Sequence, residues 1–234
     1  MMVNKTRLRI FSALAVRAPF VLLEQEWEKT HSDISLEIEW NPTSVIEKKI
    51  AQGETADAAI LTKPAMDTLI EAGLISPTSI VELVDSHIGL AMLPDATAPD
   101  ISTTALLIKA LLAARSVAYS QGGASGIYLI KLLESLGIKE QFLSRATAIP
   151  EGFSATKLID GSADIAIQQI SELLSVEGVK VIGPLPKEVQ KVTSFQAGIF
   201  SQAEQPAAAS AFLNYLRSQQ AQTEYEKFGL QVRT

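Results

Sequence analysis

The sequence predicts an α/β protein of two similarly built lobes, each a parallel sheet with helices on its faces. Strand-like segments, in which polar and apolar residues alternate, are each followed by a segment whose apolar residues recur at helical spacing. This order occurs twice along the chain. Two short segments, residues 53–60 and 161–167, also repeat one pattern: a glycine, one or two residues, then Ala-Asp-x-Ala-Ile. Such alternation implies parallel strands joined by right-handed crossovers.

The elements of the first lobe follow from changes of period and from helix-breaking residues. Its first strand alternates polar and apolar residues, whereas the helix after it places Val16, Phe20 and Leu23 at helical spacing. Gly53 and Gly73 are placed to end the next two helices. The predicted strands are residues 7–12, 36–40 and 58–61, and the predicted helices are residues 16–27, 45–52 and 64–72.

The second lobe repeats this order, with a glycine-rich turn after its first strand. Its predicted strands are residues 116–119, 146–149 and 164–167, its helices are 127–136 and 154–160, and the turn is 120–126. Apolar segments at 86–93 and 192–200 are predicted to form a two-strand hinge, and helices at 206–215 and 218–228 to dock on the first lobe. The predicted lobes are residues 1–86 with 197–234, and residues 87–196, with a cleft between them.

Composition excludes several classes of protein. The 234 residues carry 20 Lys+Arg against 26 Asp+Glu, a net charge of −6 with both signs interleaved, so the basic face that nucleic-acid binding requires is absent. No cysteine is present, which excludes a disulfide framework, a thiolate metal site and a cysteine nucleophile. An aromatic content of 6% argues against a stacking site for sugars or rings. The apolar run at 106–114 is far shorter than the roughly 20 residues of a membrane span.

A ligand is expected beyond the carboxyl ends of the parallel strands, where loops meet helix N-termini. The loops are residues 12–17, 41–44 and 62–63 in the first lobe and 120–126, 152–154 and 168–171 in the second, and they are rich in small, hydroxyl and amide residues. The strongest signal is Gln-Gly-Gly-Ala-Ser-Gly-Ile at 121–127, whose glycines and following helix favour an anion. The alternative is a tight turn without a ligand. The pattern of a nucleotide-binding loop is absent, so no nucleotide cofactor is predicted.

Two loops of the first lobe carry residues with more than one interpretation. Arg17 stands beside the first loop and could hold a carboxylate in a bidentate manner, the alternative being a solvent-facing place on the first helix. One hydroxyl of Thr43 and Ser44 is expected to cap the helix that begins at Val45, which leaves the other for a ligand.

Motifs of enzymes and metal sites are absent from the sequence. It contains neither Gly-x-Ser-x-Gly nor His-Glu-x-x-His. His31 and His87 stand alone, the first expected at the surface and the second buried in the hinge. Asp57 and Asp164 occupy equivalent strand starts, away from the expected ligand edge, which predicts structural roles. No catalytic residue, metal or cofactor is therefore predicted.

Several segments carry a resemblance to a known family. They are Leu-Arg-Ile-Phe-Ser-Ala-Leu-Ala at 8–15, Ile-Ala-Gln-Gly at 50–53 with Ala56-Asp57, Met66-Asp67 with Glu-Ala-Gly-Leu-Ile at 71–75, and Ala-Ser-Gly-Ile-Tyr at 124–128. They are similar to the molybdate-binding periplasmic proteins of ABC importers, over nearly the whole chain. The resemblance implies the type II periplasmic binding protein fold, whose two Rossmann-like lobes close on a small anion and deliver it to a permease. It also implies a periplasmic monomer whose leader is removed or not included here; a cytoplasmic location is the alternative.

The resemblance also assigns residues to the anion site. The family's first-turn serine falls at Ala15, its second-loop serine at Ser44, and its pocket tyrosine at Gln169. The full predicted ligand-binding set is Ser12, Ala15, Arg17, Thr43, Ser44, Thr62, Gly123, Ser125, Gly126, Gln168 and Gln169. Loss of that serine and tyrosine beside a new arginine shifts the expected ligand toward a small organic carboxylate, with molybdate or tungstate as the alternative.

Two further functional hypotheses stand beside anion transport. Relatives of the same family include an isomerase acting on aconitate, so an isomerase of an unsaturated tricarboxylate is the second hypothesis. That reaction needs a general base in the cleft, and the sequence shows no obvious one. The third hypothesis is a ligand-sensing module inside the cell.

Overall fold

The computed structural model describes residues 5–233 of the chain. These residues divide into two compact units, one made of residues 5–85 and 193–233 and the other of Ser86–Val192. We call them unit one and unit two. The chain passes into unit two within a long strand and returns to unit one at the start of another.

The elements alternate between strand and helix along most of the chain. The strands are β1 (Thr6–Ala13), β2 (Ile34–Asn41), β3 (Ala58–Thr62), β4 (Val81–Met92), β5 (Val117–Ser120), β6 (Thr147–Ile149), β7 (Ile165–Gln169), β8 (Lys180–Pro184), β9 (Val192–Ile199) and β10 (Gln231–Val232). The helices are α1 (Arg17–Thr30), α2 (Thr43–Ala51), α3 (Lys63–Glu71), α4 (Thr104–Ala113), α5 (Ala124–Ser135), α6 (Lys139–Leu143), α7 (Thr156–Ile159), α8 (Ile170–Leu173), α9 (Pro206–Tyr215) and α10 (Gln219–Lys227). None of the helices within residues 5–233 is long and apolar enough to cross a membrane.

Unit one is built on a parallel core of three strands. β1 lies between β2 and β3 and runs parallel to both, while β9 pairs antiparallel with the other edge of β3. Alternate residues of β1 point to opposite faces, so Ile10 packs toward α1, α9 and α10 and Phe11 toward α2 and α3. Aromatic side chains fill the first face, where Phe20 meets both Phe212 and Tyr225. The apolar stripes of the helices thus cover both faces of the sheet.

Unit two repeats the arrangement around β5. This strand pairs parallel with β6 and β7, and β7 pairs antiparallel with β4. One face packs large residues such as Tyr119 and Ile167 against α4, α5 and α6. The other face is lined by the small residues Ala118 and Ala166, which leaves room for α7 and α8 to lie close to the sheet. The predicted class, an α/β fold with strand–helix alternation, is confirmed.

The repeated aspartates have equivalent structural roles in the two units. Asp57 Oδ2 accepts a hydrogen bond of 2.9 Å from the backbone N–H of Arg9, and Asp164 Oδ2 accepts one of 2.9 Å from the backbone N–H of Arg115. Asp57 Oδ1 also accepts from the N–H of Gln205 at 2.7 Å. Each carboxylate therefore joins the start of its own strand to the chain segment at the strand beside it, as the structural interpretation of the repeat predicted.

Some local predictions differ from the structure. Helix α2 begins at Thr43 rather than Val45, with Pro42 at its N-cap and no side-chain cap, so the prediction that Thr43 or Ser44 caps this helix is wrong. The fixed φ of proline, here −55°, already places the chain in the conformation that precedes the first turn. The segment 168–171, expected as a loop, is the end of β7 and the start of α8. The expected helix at 154–160 is the shorter α7.

Candidate functional site

Unit one places two buried hydroxyl residues at the carboxyl ends of its strands. Ser12, near the end of β1, lies beside Trp40 of β2 and Ile60 of β3 in the strand register. It is fully buried, and its Oγ makes no hydrogen bond to a described residue. Thr62, two residues beyond Ile60 on β3, is also buried and by strand alternation shares the face of Ser12. These are the residues of unit one most suited to meet a ligand at the strand ends.

The turn after β1 departs from the predicted site. Ala15 lies in a short 3-10 turn, Leu14–Val16, and its methyl group packs into the hydrophobic core of unit one. Arg17 begins α1 and is exposed. Burial raises the pKa of Glu24, further along the same helix, and the charge of Arg17 acts in the opposite direction. The structure therefore offers the hydroxyl of Ser12 at this turn, whereas Arg17 lies at the surface.

The second loop of unit one supplies partly exposed hydroxyls. Thr43 and Ser44 occupy the first turn of α2 and are half-buried. The N–H groups of a first helical turn have no partner within the helix, so this end of α2 carries a partial positive charge. Both residues keep the positions that the ligand prediction requires, although neither caps the helix.

The glycine-rich turn of unit two forms a small cradle. β5 ends at Ser120, Gly123 is the N-cap of α5, and Ser125 lies in the first turn of that helix. Ser120 and Ser125 are both buried, and neither Oγ bonds to a described residue. A Cβ added at Gly123 would lie 3.4 Å from Ser120 Oγ and 3.8 Å from Ser125 Oγ. Two unsatisfied hydroxyls thus point toward the space left by one missing methyl group, at the positive end of a helix.

Gly126 has a packing role in the same turn. A Cβ at this position would lie 1.6 Å from the carbonyl oxygen of Ser120, so only glycine allows the first turn of α5 to pack directly on the end of β5. The turn is further held by the N–H of Gln121, which donates to the carbonyl oxygen of Ile149 at 2.8 Å. Gly126 therefore lets the first turn of α5 pack against the end of β5, and the missing side chain of Gly123 leaves the cradle open.

The third loop of unit two is a buried polar network. The Gln168 side chain accepts from the N–H of Ser154 at 2.7 Å and donates to the carbonyl oxygen of Gly152 at 2.9 Å. Both atoms of its amide are occupied, so Gln168 holds the 152–154 loop in place. Gln169 is the N-cap residue of α8, and Glu172 Oε2 accepts its backbone N–H at 3.1 Å. Ser171 is fully buried, and its Oγ makes no bond to a described residue.

Glu172 is a buried acid that the sequence prediction missed. Only 5% of the residue is exposed. Burial raises its pKa to about 8, while hydrogen bonds from the Gln169 N–H and the Gln168 side chain oppose that rise. Glu172 directly follows the predicted loop at 168–171, and no pattern in the sequence marks its burial. Ser120 and Ser171 were missed as individual site residues because the predicted loops could not show which hydroxyls lack partners.

The chemistry of these loops is that of neutral donors. No lysine or arginine is buried within residues 5–233. The same residues hold no group of three or more histidine or acidic side chains that could bind a metal. Of the two histidines, His31 stacks on Trp27 at 3.5 Å between ring centroids, and His87 is half-buried in β4 rather than buried as expected. Hydroxyls, backbone N–H groups and helix N-termini suit a small ligand rich in hydrogen-bond acceptors.

Comparison with known proteins places this architecture in a family. A model described as bacterial extracellular solute-binding protein matches residues 8–231. An aconitate isomerase of Pseudomonas sp is 34% identical over 186 residues, which cover 79% of this chain and 71% of that protein. A putative ABC transporter substrate-binding lipoprotein of Bacillus subtilis (strain 168) is 20% identical, over 97% of this chain and 86% of its own length.

The solved structures agree on the fold. The periplasmic molybdate-binding protein of Azotobacter vinelandii superposes with a TM-score of 0.79 and 16% identity, covering 97% of this chain and 100% of that one. The predicted resemblance to molybdate-binding proteins and the type II periplasmic binding protein fold are confirmed. The chain belongs to the bacterial extracellular solute-binding protein family.

Proposed function

We propose that the protein captures a small anion outside the cytoplasm and delivers it to an ABC importer. The observation that carries this proposal is that four buried serine hydroxyls at the predicted ligand loops, Ser12, Ser120, Ser125 and Ser171, make no hydrogen bond to a described residue; a fifth, Ser86, lies in β4. A buried polar group without a partner costs about 1–3 kcal/mol. Within each unit these hydroxyls lie at predicted ligand loops, and the oxygen atoms of a ligand would satisfy groups of this kind.

The ligand class that this arrangement supports is a small oxoanion or a small carboxylate. The exposed position of Arg17 weakens the argument for a carboxylate that rested on its charge, and it favours capture by neutral donors. The aconitate isomerase relative supports a carboxylate on independent grounds. We therefore take aconitate as the first probe and molybdate as the second.

The family supports the proposed delivery partner and location. The matching model describes extracellular proteins, and the relative from Bacillus subtilis is named as an ABC transporter substrate-binding lipoprotein. These findings support an extracytoplasmic protein that donates its ligand to a membrane permease.

Isomerisation of an unsaturated tricarboxylate is the second candidate function. It is favoured by the 34% identity to an aconitate isomerase and by Glu172, a buried carboxyl beside the predicted site residues Gln168 and Gln169. The reaction requires removal of a proton from the CH₂ carbon next to the double bond, movement of the double bond, and return of a proton to the other terminal carbon. Neither an oxidant nor a reductant is consumed.

Thermal unfolding with a panel of anions tests the binding proposal. The panel contains cis-aconitate, trans-aconitate, citrate, molybdate, tungstate and sulfate. A ligand at about 100 times its Kd adds about 2.7 kcal/mol to the free energy of unfolding, which raises the Tm of a domain of this size by several degrees. A panel in which no anion raises the Tm at millimolar concentration would contradict the proposal.

Proton NMR separates binding from isomerisation. trans-Aconitate is incubated with the protein in deuterated buffer, and the signals of both isomers are followed. Conversion with deuterium incorporation supports the isomerase, whereas a Tm increase without conversion or exchange supports binding alone.

A further inference from the structure

Glu172 is a buried acid that anion capture by hydroxyls leaves without a role. It lies in α8, one residue after the buried hydroxyl of Ser171, and only 5% of it is exposed. Within residues 5–233 it forms no ion pair. A carboxyl in such a place pays a large desolvation cost when it ionises.

The carboxyl is connected to the candidate site by direct hydrogen bonds. Its Oε2 accepts from the Gln169 N–H at 3.1 Å, and the adjacent Gln168 side chain also lowers the pKa of Glu172. Gln168 in turn binds the N–H of Ser154 at 2.7 Å and the carbonyl oxygen of Gly152 at 2.9 Å. A charge on Glu172 therefore develops beside the third loop of unit two, where Gln168 holds the 152–154 loop.

The elements that pack with α8 offer little opposite charge. β7 and β5 carry no charged residue. Lys157 on α7 is bound to Asp160 at 2.7 Å, and Lys180 on β8 and Glu177 before it are exposed. His87 on β4 is half-buried. The pKa of Glu172 is set by burial, which raises it, and by the Gln169 and Gln168 hydrogen bonds, which lower it.

We propose that Glu172 couples anion capture to a proton: the neutral acid places no negative charge beside Gln168 and Gln169, and ionisation of Glu172 weakens binding of the anion by charge repulsion. This inference rests on the proposed function. A bound anion and a buried carboxylate repel one another strongly where water is scarce. Linkage is reciprocal, so an anion that binds better to the protonated form also draws a proton onto Glu172 when it binds. The effect of Glu172 on the ligand is electrostatic and needs no direct contact between them.

Isothermal titration calorimetry between pH 7 and pH 9.5 tests the coupling, because carboxylate probes keep a constant charge over this range. trans-Aconitate and molybdate are titrated into the wild type, Glu172→Gln and Glu224→Gln. Glu224 is the matched control, a buried acid of α10 in unit one that is bound to Lys227. Each titration at pH 8.5 is repeated in two buffers that differ in ionisation enthalpy, which measures proton uptake.

We expect the affinity for the anion to depend on pH through the ionisation of Glu172. Wild-type affinity should fall by about tenfold per pH unit above pH 8, with proton uptake at pH 8.5, and Glu224→Gln should behave alike. Glu172→Gln should bind with an affinity independent of pH. Equal pH profiles in the wild type and Glu172→Gln would overturn the proposal while leaving anion binding intact.

Two other outcomes are also decisive. If Glu172→Gln does not fold, the wild-type titrations still decide, because a heat of binding that is the same in both buffers contradicts proton coupling. If neither probe binds the wild type at any pH, the proposed function itself fails, and the coupling fails with it.

Discussion

Residues Gly123 and Gly126 are close in sequence, but glycine serves a different purpose at each. Gly123 has φ −81° and ψ 154°, a conformation open to any amino acid, and the nearest atoms to a methyl group there would belong to the side chains of Ser120 and Ser125. At Gly126 a methyl group would meet the carbonyl oxygen of Ser120 at 1.6 Å. One glycine leaves space for a ligand, and the other allows helix and strand to touch.

Substitution by alanine should separate these two purposes. We expect Gly123→Ala to retain wild-type stability and to weaken anion binding at least tenfold, because the methyl group occupies the cradle. Gly126→Ala should lose more than about 3 kcal/mol of unfolding free energy. Urea unfolding measures the stability of each variant, and calorimetry with the best anion of the panel measures binding. Full binding by Gly123→Ala would show that no ligand occupies the cradle.

The buried serines should affect binding more than stability. Ser125→Ala removes a hydroxyl that makes no bond to a described residue, so the ligand-free protein should be equally stable or up to about 1 kcal/mol more stable. Loss of a ligand hydrogen bond should weaken binding by about 5- to 10-fold. Ser144→Ala, at an exposed serine bonded to the carbonyl oxygen of Gln141, is the control. An unchanged Kd for Ser125→Ala would remove this residue from the site.

Glu172 should also leave a pH signature on stability without ligand. Its folded pKa, about 8, lies above the ordinary value of 4.5, so between these values the native state binds more protons than the unfolded state. The unfolding free energy should therefore fall as pH rises from about 4.5 to 8 and level off above. This contribution has a slope of up to about 1.4 kcal/mol per pH unit. The wild type minus Glu172→Gln difference in urea unfolding isolates it, and a difference that is flat with pH would argue against it.

At the scale of elements, the repeated aspartates Asp57 and Asp164 allow the same kind of stabilising hydrogen bond to be compared in the two units. Asp57 is 5% exposed and holds two backbone N–H groups, whereas the Asp164 side chain is 42% exposed. Hydrogen bonds to charged groups contribute about 1.5–3 kcal/mol each when buried and less when solvated. We expect Asp57→Ala to cost about 3 kcal/mol and Asp164→Ala about 1 kcal/mol, as measured by urea unfolding. Equal costs would show that exposure does not govern these links.

The elements that the sequence predicted are those with a strong period and clear breakers. The three parallel strands of each unit and helices such as α5 and α9 follow from spacing, and the repeat at Asp57 and Asp164 gave the two-unit plan. β8 was missed because a five-residue strand with glycine and proline at its end is defined by its pairing with β4. α4, apolar on nearly all sides, lacks the period that marks a helix.

The candidate site was predictable only to the level of loops. The predicted strand ends locate Ser12, Thr62 and the glycine-rich turn. The distinction between a satisfied and an unsatisfied hydroxyl depends on tertiary packing, so Ser120 and Ser171 could not be identified. Glu172 could not be predicted for the same reason, because its burial depends on the small residues of the facing sheet.

At the scale of the whole molecule, the net charge of −6 opposes the capture of an anion. The predicted site must therefore offset this field with local donors, which places the energetic weight on buried hydroxyls and helix N-termini. A ligand that binds only the folded protein stabilises the whole chain against unfolding. Measurements of global unfolding therefore show whether the few residues of the site have bound a ligand.

The most direct test of the account is calorimetric titration of trans-aconitate and molybdate into the wild type and Gly123→Ala at one pH below 8. We expect saturable binding of at least one anion at one ligand per chain, weakened at least tenfold in a Gly123→Ala variant of unchanged Tm. Absence of binding by the wild type, or equal binding by the two proteins, would contradict it.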